Sequence, residues 1–272
     1  MNILVSNDDG INGEGLITLA LMLSGKGHTV TVVAPDGNRS AFSHSLTIRR
    51  PFKVVKVENY CVKNAYAVSG SPADCVKFAL TEFKNEKFDF VCSGINAGSN
   101  IGSEVVYSGT VSCALEANCL GYKSMAFSCT AFKDINFENV GKVCADIFDK
   151  FLPFVSDKYT LSVNVPNLAP EQIKGVKVTK LGVQLYSDAY EKRGENEYEL
   201  VGVPLDHDYN EPDCDVEWIK KNYATVTPVL CDKTAYAAIT DIKTKLFNGL
   251  AYDEKIYPTC DCAVSGKKEA KL

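Results

Sequence analysis

A short apolar run, Ile3-Leu4-Val5, stops at Asn7-Asp8-Asp9-Gly10, gives way to apolar residues at helical spacing (Leu16, Leu19, Ala20, Leu23) and resumes as HTVTVVA over 28–34. Period-free apolar runs bounded by turn residues read as buried strands, and the segment between them has the 3.6-residue period of a helix. Gly25 and Gly27 stop the helix, and Pro35-Asp36-Gly37 closes the second run. Strand, helix and strand within about 35 residues form a βαβ unit, which requires a parallel sheet and a right-handed crossover. Most all-helical and all-antiparallel architectures are excluded by this one feature.

The alternation continues. Residues 46–69 are rich in Val and Thr, which predicts antiparallel ribbon strands beside the main sheet. Ser71-Pro72-Ala73-Asp74 has the order of an N-cap, an N1 proline and an acidic N3 residue, and a helix with Val76, Ala79, Leu80 and Phe83 on one face follows. Strands are expected at 88–93, 124–129 and 159–164, and helices at 110–120 and 137–152. This is the order of a doubly wound α/β domain. After Pro166 the texture shifts to short strands at 176–185, 198–203 and 224–230, a polar stretch at 187–197, and a helix around 235–247. The chain therefore divides into an α/β core over 1–165 and a β-rich C-terminal extension over 166–272, whose last residues, 266–272, read as a frayed tail.

Composition narrows the partners. The net charge of -5 disfavours broad electrostatic binding to a nucleic-acid duplex. No apolar run approaches the ~20 residues of a membrane span, and the start has no basic, apolar leader, so a cytoplasmic protein is expected. Arg39, Arg49, Arg50 and Arg193 are the only arginines, so an anion site must rest on metal, backbone amides or hydroxyls. Eleven cysteines are scattered along the chain, most inside apolar runs where a free thiol packs as a small hydrophobe, and they read as reduced. Cys260-Asp261-Cys262 lacks the second pair or nearby histidine that a zinc site needs.

In open parallel sheets ligands bind beyond the carboxyl ends of the strands. Three such loops are polar: Asn7-Asp8-Asp9-Gly10, Asn38-Arg39-Ser40 and Gly94-Ile95-Asn96. Adjacent carboxylates after a buried strand repel unless a cation or proton offsets them. Asp8 and Asp9 with a Ser hydroxyl and an Asn amide are hard oxygen donors suited to Mg²⁺ or Mn²⁺. Taken alone, Asp8-Asp9-Gly10 is also an ordinary Asx-capped turn. Tyr107-Ser108-Gly109-Thr110 ahead of a helix offers amides and hydroxyls to an anion, or else Ser108 is simply an N-cap. His44, in Ser43-His44-Ser45, is either a general acid or a packing residue. His28 reads as structural, and His207 has no evident partner. The first loop lacks GxGxxG, no GxSxG precedes a helix, and the acidic pair is D-D where aspartyl phosphotransferases have D-x-D.

ILVSNDDGINGEGL (3–16), VVAPDGNRSAFSHSLT (32–47), VSGSPADCVKFAL (68–80), FVCSGINAGSNIGSEVVYSGTVSCALEA (90–117) and VTPVLCDKT (226–234) together resemble the SurE family, the survival-protein 5'/3'-nucleotidases. C-terminally the likeness thins to LGVQLY (181–186) and the last of these motifs. The resemblance implies a Rossmann-like core, one divalent metal ion (Mg²⁺ or Mn²⁺), nucleoside monophosphate substrates, and a homodimer or homotetramer built through the C-terminal extension. By motif, the metal ligands are Asp8, Asp9, Ser40 and Asn96. Ser40 is chosen over its neighbours by family pattern alone. Ser108, Gly109 and Thr110 line the phosphate pocket, with Asn100, Ser43 and Ser45. Two departures stand out. Ser71 replaces the usual Thr of GTPADC, and Ser112-Cys113-Ala114 replaces a Gly-Ala-Ala run. The implied reaction is phosphomonoester hydrolysis by water, with Asp8 or Asp9 as base; a carboxylate nucleophile stays open. The alternatives are a broader phosphatase or exopolyphosphatase, and a non-catalytic nucleotide-binding sensor.

Overall fold

The computed structural model describes residues 1–83, 85–205 and 211–247. The elements are β1 (Asn2–Ser6), α1 (Glu14–Gly25), β2 (Thr29–Pro35), β3 (Val54–Lys56), β4 (Asn64–Val68), α2 (Pro72–Glu82), β5 (Phe90–Ala97), α3 (Gly109–Cys119), β6 (Ser124–Cys129), α4 (Phe137–Phe151), β7 (Thr160–Val165), β8 (Val176–Val178), β9 (Leu185–Tyr186), β10 (Ala189–Gly194), β11 (Glu197–Val201), β12 (Pro204–Leu205), α5 (Asp215–Lys220), β13 (Ala224–Val229) and α6 (Tyr236–Phe247). His207, Cys260, Cys262 and the 266–272 tail lie outside the described residues.

Nine strands form one sheet in the order β3-β4-β2-β1-β5-β6-β7-β13-β8. The run from β4 to β7 is parallel throughout. β3 pairs antiparallel at one edge, and β13 pairs antiparallel with β7. Alternation in β1 explains the layering: Ile3 and Val5 pack under α1 and α4, and Leu4 packs on the other face with Val76 of α2 and Cys113 of α3. Helices on both faces bury the parallel strands, as such sheets require. The α/β doubly wound class is therefore observed.

Two local expectations change. Residues 64–68 do not form a separate ribbon; β4 joins the main sheet parallel to β2, and only β3 folds back on it. The stretch 187–197 contains β10, which pairs antiparallel with β11. Its residues, AYEKRG, are almost wholly exposed, so no alternation of burial marks it as a strand. Past Val165 the chain still feeds the main sheet through β8 and β13, and the ribbons β10–β11 and β9–β12 stand outside it.

Candidate functional site

Strand order reverses beside β1: β2 lies on one side of it and β5 on the other. The carboxyl ends of β1, β2 and β5 are therefore neighbours at the switch point, where loops diverge and leave a crevice. Two of the three polar segments singled out above, 7–10 and 38–40, emerge there as loops, whereas Gly94-Ile95-Asn96 lies within β5, which continues past a register shift to Ala97.

Backbone and amide hydrogen bonds hold these loops together. The Asn7 side chain accepts from Gly10 N–H (3.1 Å) and donates to Gly10 O (3.0 Å), which shapes the acidic turn. Arg39 N–H donates to Asp8 O (2.7 Å), bringing Ser40 alongside. Ala97 N–H donates to Asp9 Oδ2 (3.3 Å), bringing Asn96 in from β5, whose pairing with β6 shifts register between Ser93 and Asn96. The acidic turn thus lies against the backbone of Arg39 and Ala97, the chain neighbours of Ser40 and Asn96.

Asp8 is buried and Asp9 partly so, and among the described residues no Lys, Arg or His forms an ion pair with either. Burial pushes the Asp8 carboxyl up to about 6; bonding to Thr110 opposes this and the neighbouring Asp9 charge adds to it. Burial raises Asp9 too, against the Ala97 amide. Thr110 Oγ1 donates to Asp8 Oδ1, and Asn96 Nδ2 donates to Gly98 O (2.8 Å). Among the described residues the Asp9 carboxylate meets only the Ala97 amide, and Ser40 is exposed in the loop after β2. Two adjacent carboxylates with no cationic partner among the described residues are hard oxygen donors that fit a divalent cation of the Mg²⁺ or Mn²⁺ type.

The start of α3 abuts this acidic pair. A Cβ on Gly109 would lie 2.6 Å from Asp8 Cβ and 2.7 Å from Asp8 Oδ2, so only glycine lets the helix come this close. Ser108 Oγ accepts from Val111 N–H (3.0 Å), the N-cap role foreseen as its simpler alternative. The Ser108 and Thr110 hydroxyls thus have internal partners. What this first turn leaves toward the crevice is the Gly109 amide, which has no acceptor among the described residues. Asn100 is buried: its N–H donates to Asn164 Oδ1 (2.8 Å), its carbonyl accepts from Asn164 Nδ2 (3.0 Å), and its Nδ2 donates to Ser128 Oγ (2.8 Å). It anchors the loop after β5 to β6 and β7.

Ser43 and Ser45 ride on a loop fixed to both α2 and α3. Ser43 N–H donates to Tyr107 O (3.2 Å), Ser71 Oγ to Ser45 O (2.6 Å), and Thr47 N–H to both Asp74 carboxylate oxygens (3.1 and 3.0 Å). His44 Nε2 meets Glu116 Oε2 at 2.7 Å, and Lys77 Nζ donates to Glu116 Oε1 at 2.7 Å. Burial alone would raise Glu116, but hydrogen bonds from His44 and Lys77 hold it below the usual carboxylate range. His44 is thus a strut of this loop. Glu116, Lys77, Asn164 and Ser128 are not evident from sequence spacing; only the polar Asn164 inside an apolar run, VNV, offers a hint.

The sequence profile described as "Survival protein SurE" matches residues 3–188. The chain is 43% identical over 252 residues to a protein named "5'-nucleotidase SurE" from Petrotoga mobilis, covering 90% of this chain and 99% of that relative. A protein of the same name from Synechococcus elongatus is 40% identical over 253 residues, covering 89% and 98%. The crystal structure of the SurE protein from Aquifex aeolicus superposes with a TM-score of 0.76 at 37% identity, covering 90% of this chain and 99% of that one. Family profile, full-length relatives and superposed fold agree, and the chain belongs to the SurE family.

Proposed function

We propose that this protein hydrolyses nucleoside 5'-monophosphates, and 3'-monophosphates, to nucleoside and phosphate, using one divalent metal ion, Mg²⁺ or Mn²⁺. The observation that carries this is the acidic pair Asp8-Asp9 at the switch point, both carboxyls pushed up by burial and without a cationic partner among the described residues, beside a helix start with a free amide. Relatives named 5'-nucleotidase that match nearly the whole chain support the nucleotide as substrate. When bound, the ion offsets charge on the phosphoryl group as a Lewis acid.

The chain's own residues do the rest. Asp8, Asp9, Ser40 and Asn96 hold the ion. Thr110 fixes Asp8 by donating to it, which leaves Asp9, half-buried and with one unengaged oxygen, to take the proton of the attacking water. The Gly109 amide binds a phosphoryl oxygen at the dipole-positive end of α3, and Ser108 keeps that turn in place. Ser43 and Ser45 face the substrate from the loop braced by His44, and Asn100 fixes the opposite wall.

The C-terminal segment is assigned to assembly, as a homodimer or homotetramer. The support is the exposed β10–β11 ribbon, with Tyr190, Tyr198 and Leu200 all more than half exposed in the single chain. No helix among the described residues is long and apolar enough to cross a membrane. Buried free thiols such as Cys92 and Cys144 suit a cytoplasmic setting.

The test is phosphate release from 5'- and 3'-nucleoside monophosphates and tripolyphosphate, with EDTA, Mg²⁺ and Mn²⁺ in parallel. Metal-dependent release from the monophosphates is expected. Saturable nucleotide binding without release would replace the enzyme with a sensor, and preference for tripolyphosphate would replace the nucleotidase with a broader phosphatase.

A further inference from the structure

Cys119 ends α3 and Cys231 follows β13, yet these residues, 112 apart in sequence, have their sulfurs 2.7 Å apart. Both are free thiols, Cys119 exposed and Cys231 partly buried. The placement is fixed by packing. Val111, Ala114 and Leu115 of α3 form a cluster with Ala126 and Val229, and Cys231 packs against it with its Sγ 3.5 Å from Leu115 O. Other thiols, including Cys92, Cys113 and Cys144, are buried in the apolar core, and burial pushes them up, away from the reactive thiolate form. Cys119 differs. It is exposed, and its Sγ lies against that of Cys231. An accessible thiol beside a second, packed one is the arrangement of an attacking and a resolving cysteine.

We propose that Cys119 and Cys231 form a reversible disulfide by exchange with a low-molecular-weight disulfide such as glutathione disulfide. The Cys119 thiolate attacks one sulfur of that oxidant, giving a mixed disulfide and releasing one small thiol. Cys231 then loses its proton and attacks the Cys119 sulfur, releasing the second small thiol and closing the protein disulfide. Two electrons pass from the protein to the oxidant, and the two thiol protons end on the two released thiols. The bond ties α3, whose first turn lies on Asp8, to the segment leading into α6. Oxidation therefore fastens the phosphate-facing helix to the C-terminal region.

The reduced full-length protein is incubated natively with glutathione disulfide, quenched with iodoacetamide and peptide-mapped. The expected product is a peptide pair joined through Cys119 and Cys231, with Tm raised by about 5–10 °C for a bond closing so long a loop, and both reversed by dithiothreitol. In Cys231→Ser, Cys119 keeps glutathione and the rise disappears; Cys231→Ala serves if the serine variant folds poorly. The proposal is overturned if wild-type Cys119 stops at the glutathione adduct, if both residues remain alkylatable, or if Cys119 links to another cysteine such as Cys260 or Cys262.

Discussion

β5 buries nearly every residue, whereas β10 and β11 have no fully buried residue. Strand β5 sits at the centre of a nine-stranded sheet, and its carboxyl end delivers Asn96 to the acidic turn. The hairpin β10–β11 projects from the same chain with Tyr190 and Tyr198 facing solvent. A two-stranded ribbon alone is marginal in water, which is why the proposed assembly sets it against a second chain. The contrast separates two tasks. The core must hold oxygens at fixed positions, which takes close packing on both faces; under the proposed assembly the ribbon stays available to another chain, which takes the opposite.

The contrast can be tested from both sides, and the largest effect belongs to the core. Asp9→Ala should lower kcat/KM by about a thousand-fold or more at fixed metal concentration while leaving Tm nearly unchanged. Turnover close to wild type in steady-state assays would detach the acidic turn from the chemistry.

The next effect is on stability. Asp8 rises from 3.8 in the unfolded chain to about 6 in the folded one, so between those pH values the folded state keeps a proton that the unfolded state has lost. Its contribution is least unfavourable below about pH 4, and stability falls as pH climbs toward 6. In EDTA, urea unfolding should show wild type losing up to about 3 kcal/mol relative to Asp8→Asn across that window, and divalent metal should restore it in wild type only. Parallel pH profiles for the two proteins would mean that Asp8 is not strained by burial.

Gly109→Ala should cost about 10–100-fold in kcat/KM, because the added methyl displaces Asp8 or the first turn of α3, with little loss of fold. Unchanged kinetics would show that the close approach of Gly109 to Asp8 has no bearing on catalysis. The smallest effect on turnover belongs to the ribbon. Tyr198→Ser with Leu200→Ser should leave kcat within about twofold yet shift the oligomer toward smaller species in sedimentation velocity. A loss of activity equal to that of Gly109→Ala would erase the division of labour between core and ribbon.

Much of the core was legible. The helix expected after Ser71 begins at Pro72, capped by Ser71 Oγ on Asp74 N–H (3.1 Å) with Asp74 reaching back to Ser71 N–H (2.8 Å). Such caps join residues three apart and need no tertiary context. The polar segments at 7–10 and 38–40 were equally visible at strand ends, and the structure links them, and Ala97 beside Asn96, to the acidic turn through backbone amides. The roles of Ser108 and Thr110 were less so. Both stand at the helix start as expected, but their hydroxyls turn inward, to Val111 and Asp8. The ribbon strand β10 was missed because AYEKRG has no buried face to impose a period of two.

The sequence by itself determined the alternation of strands and helices, the acidic turn after β1 and the capped starts of α2 and α3, because period and capping depend on neighbours within about four residues. The tertiary structure decided the rest: that β5 lies against β1 on the side away from β2, that Gly109 rests on Asp8 from 101 positions away in the chain, and that Cys119 meets Cys231. These adjacencies come from packing two helix layers on a twisted sheet, a long-range choice that no local pattern encodes.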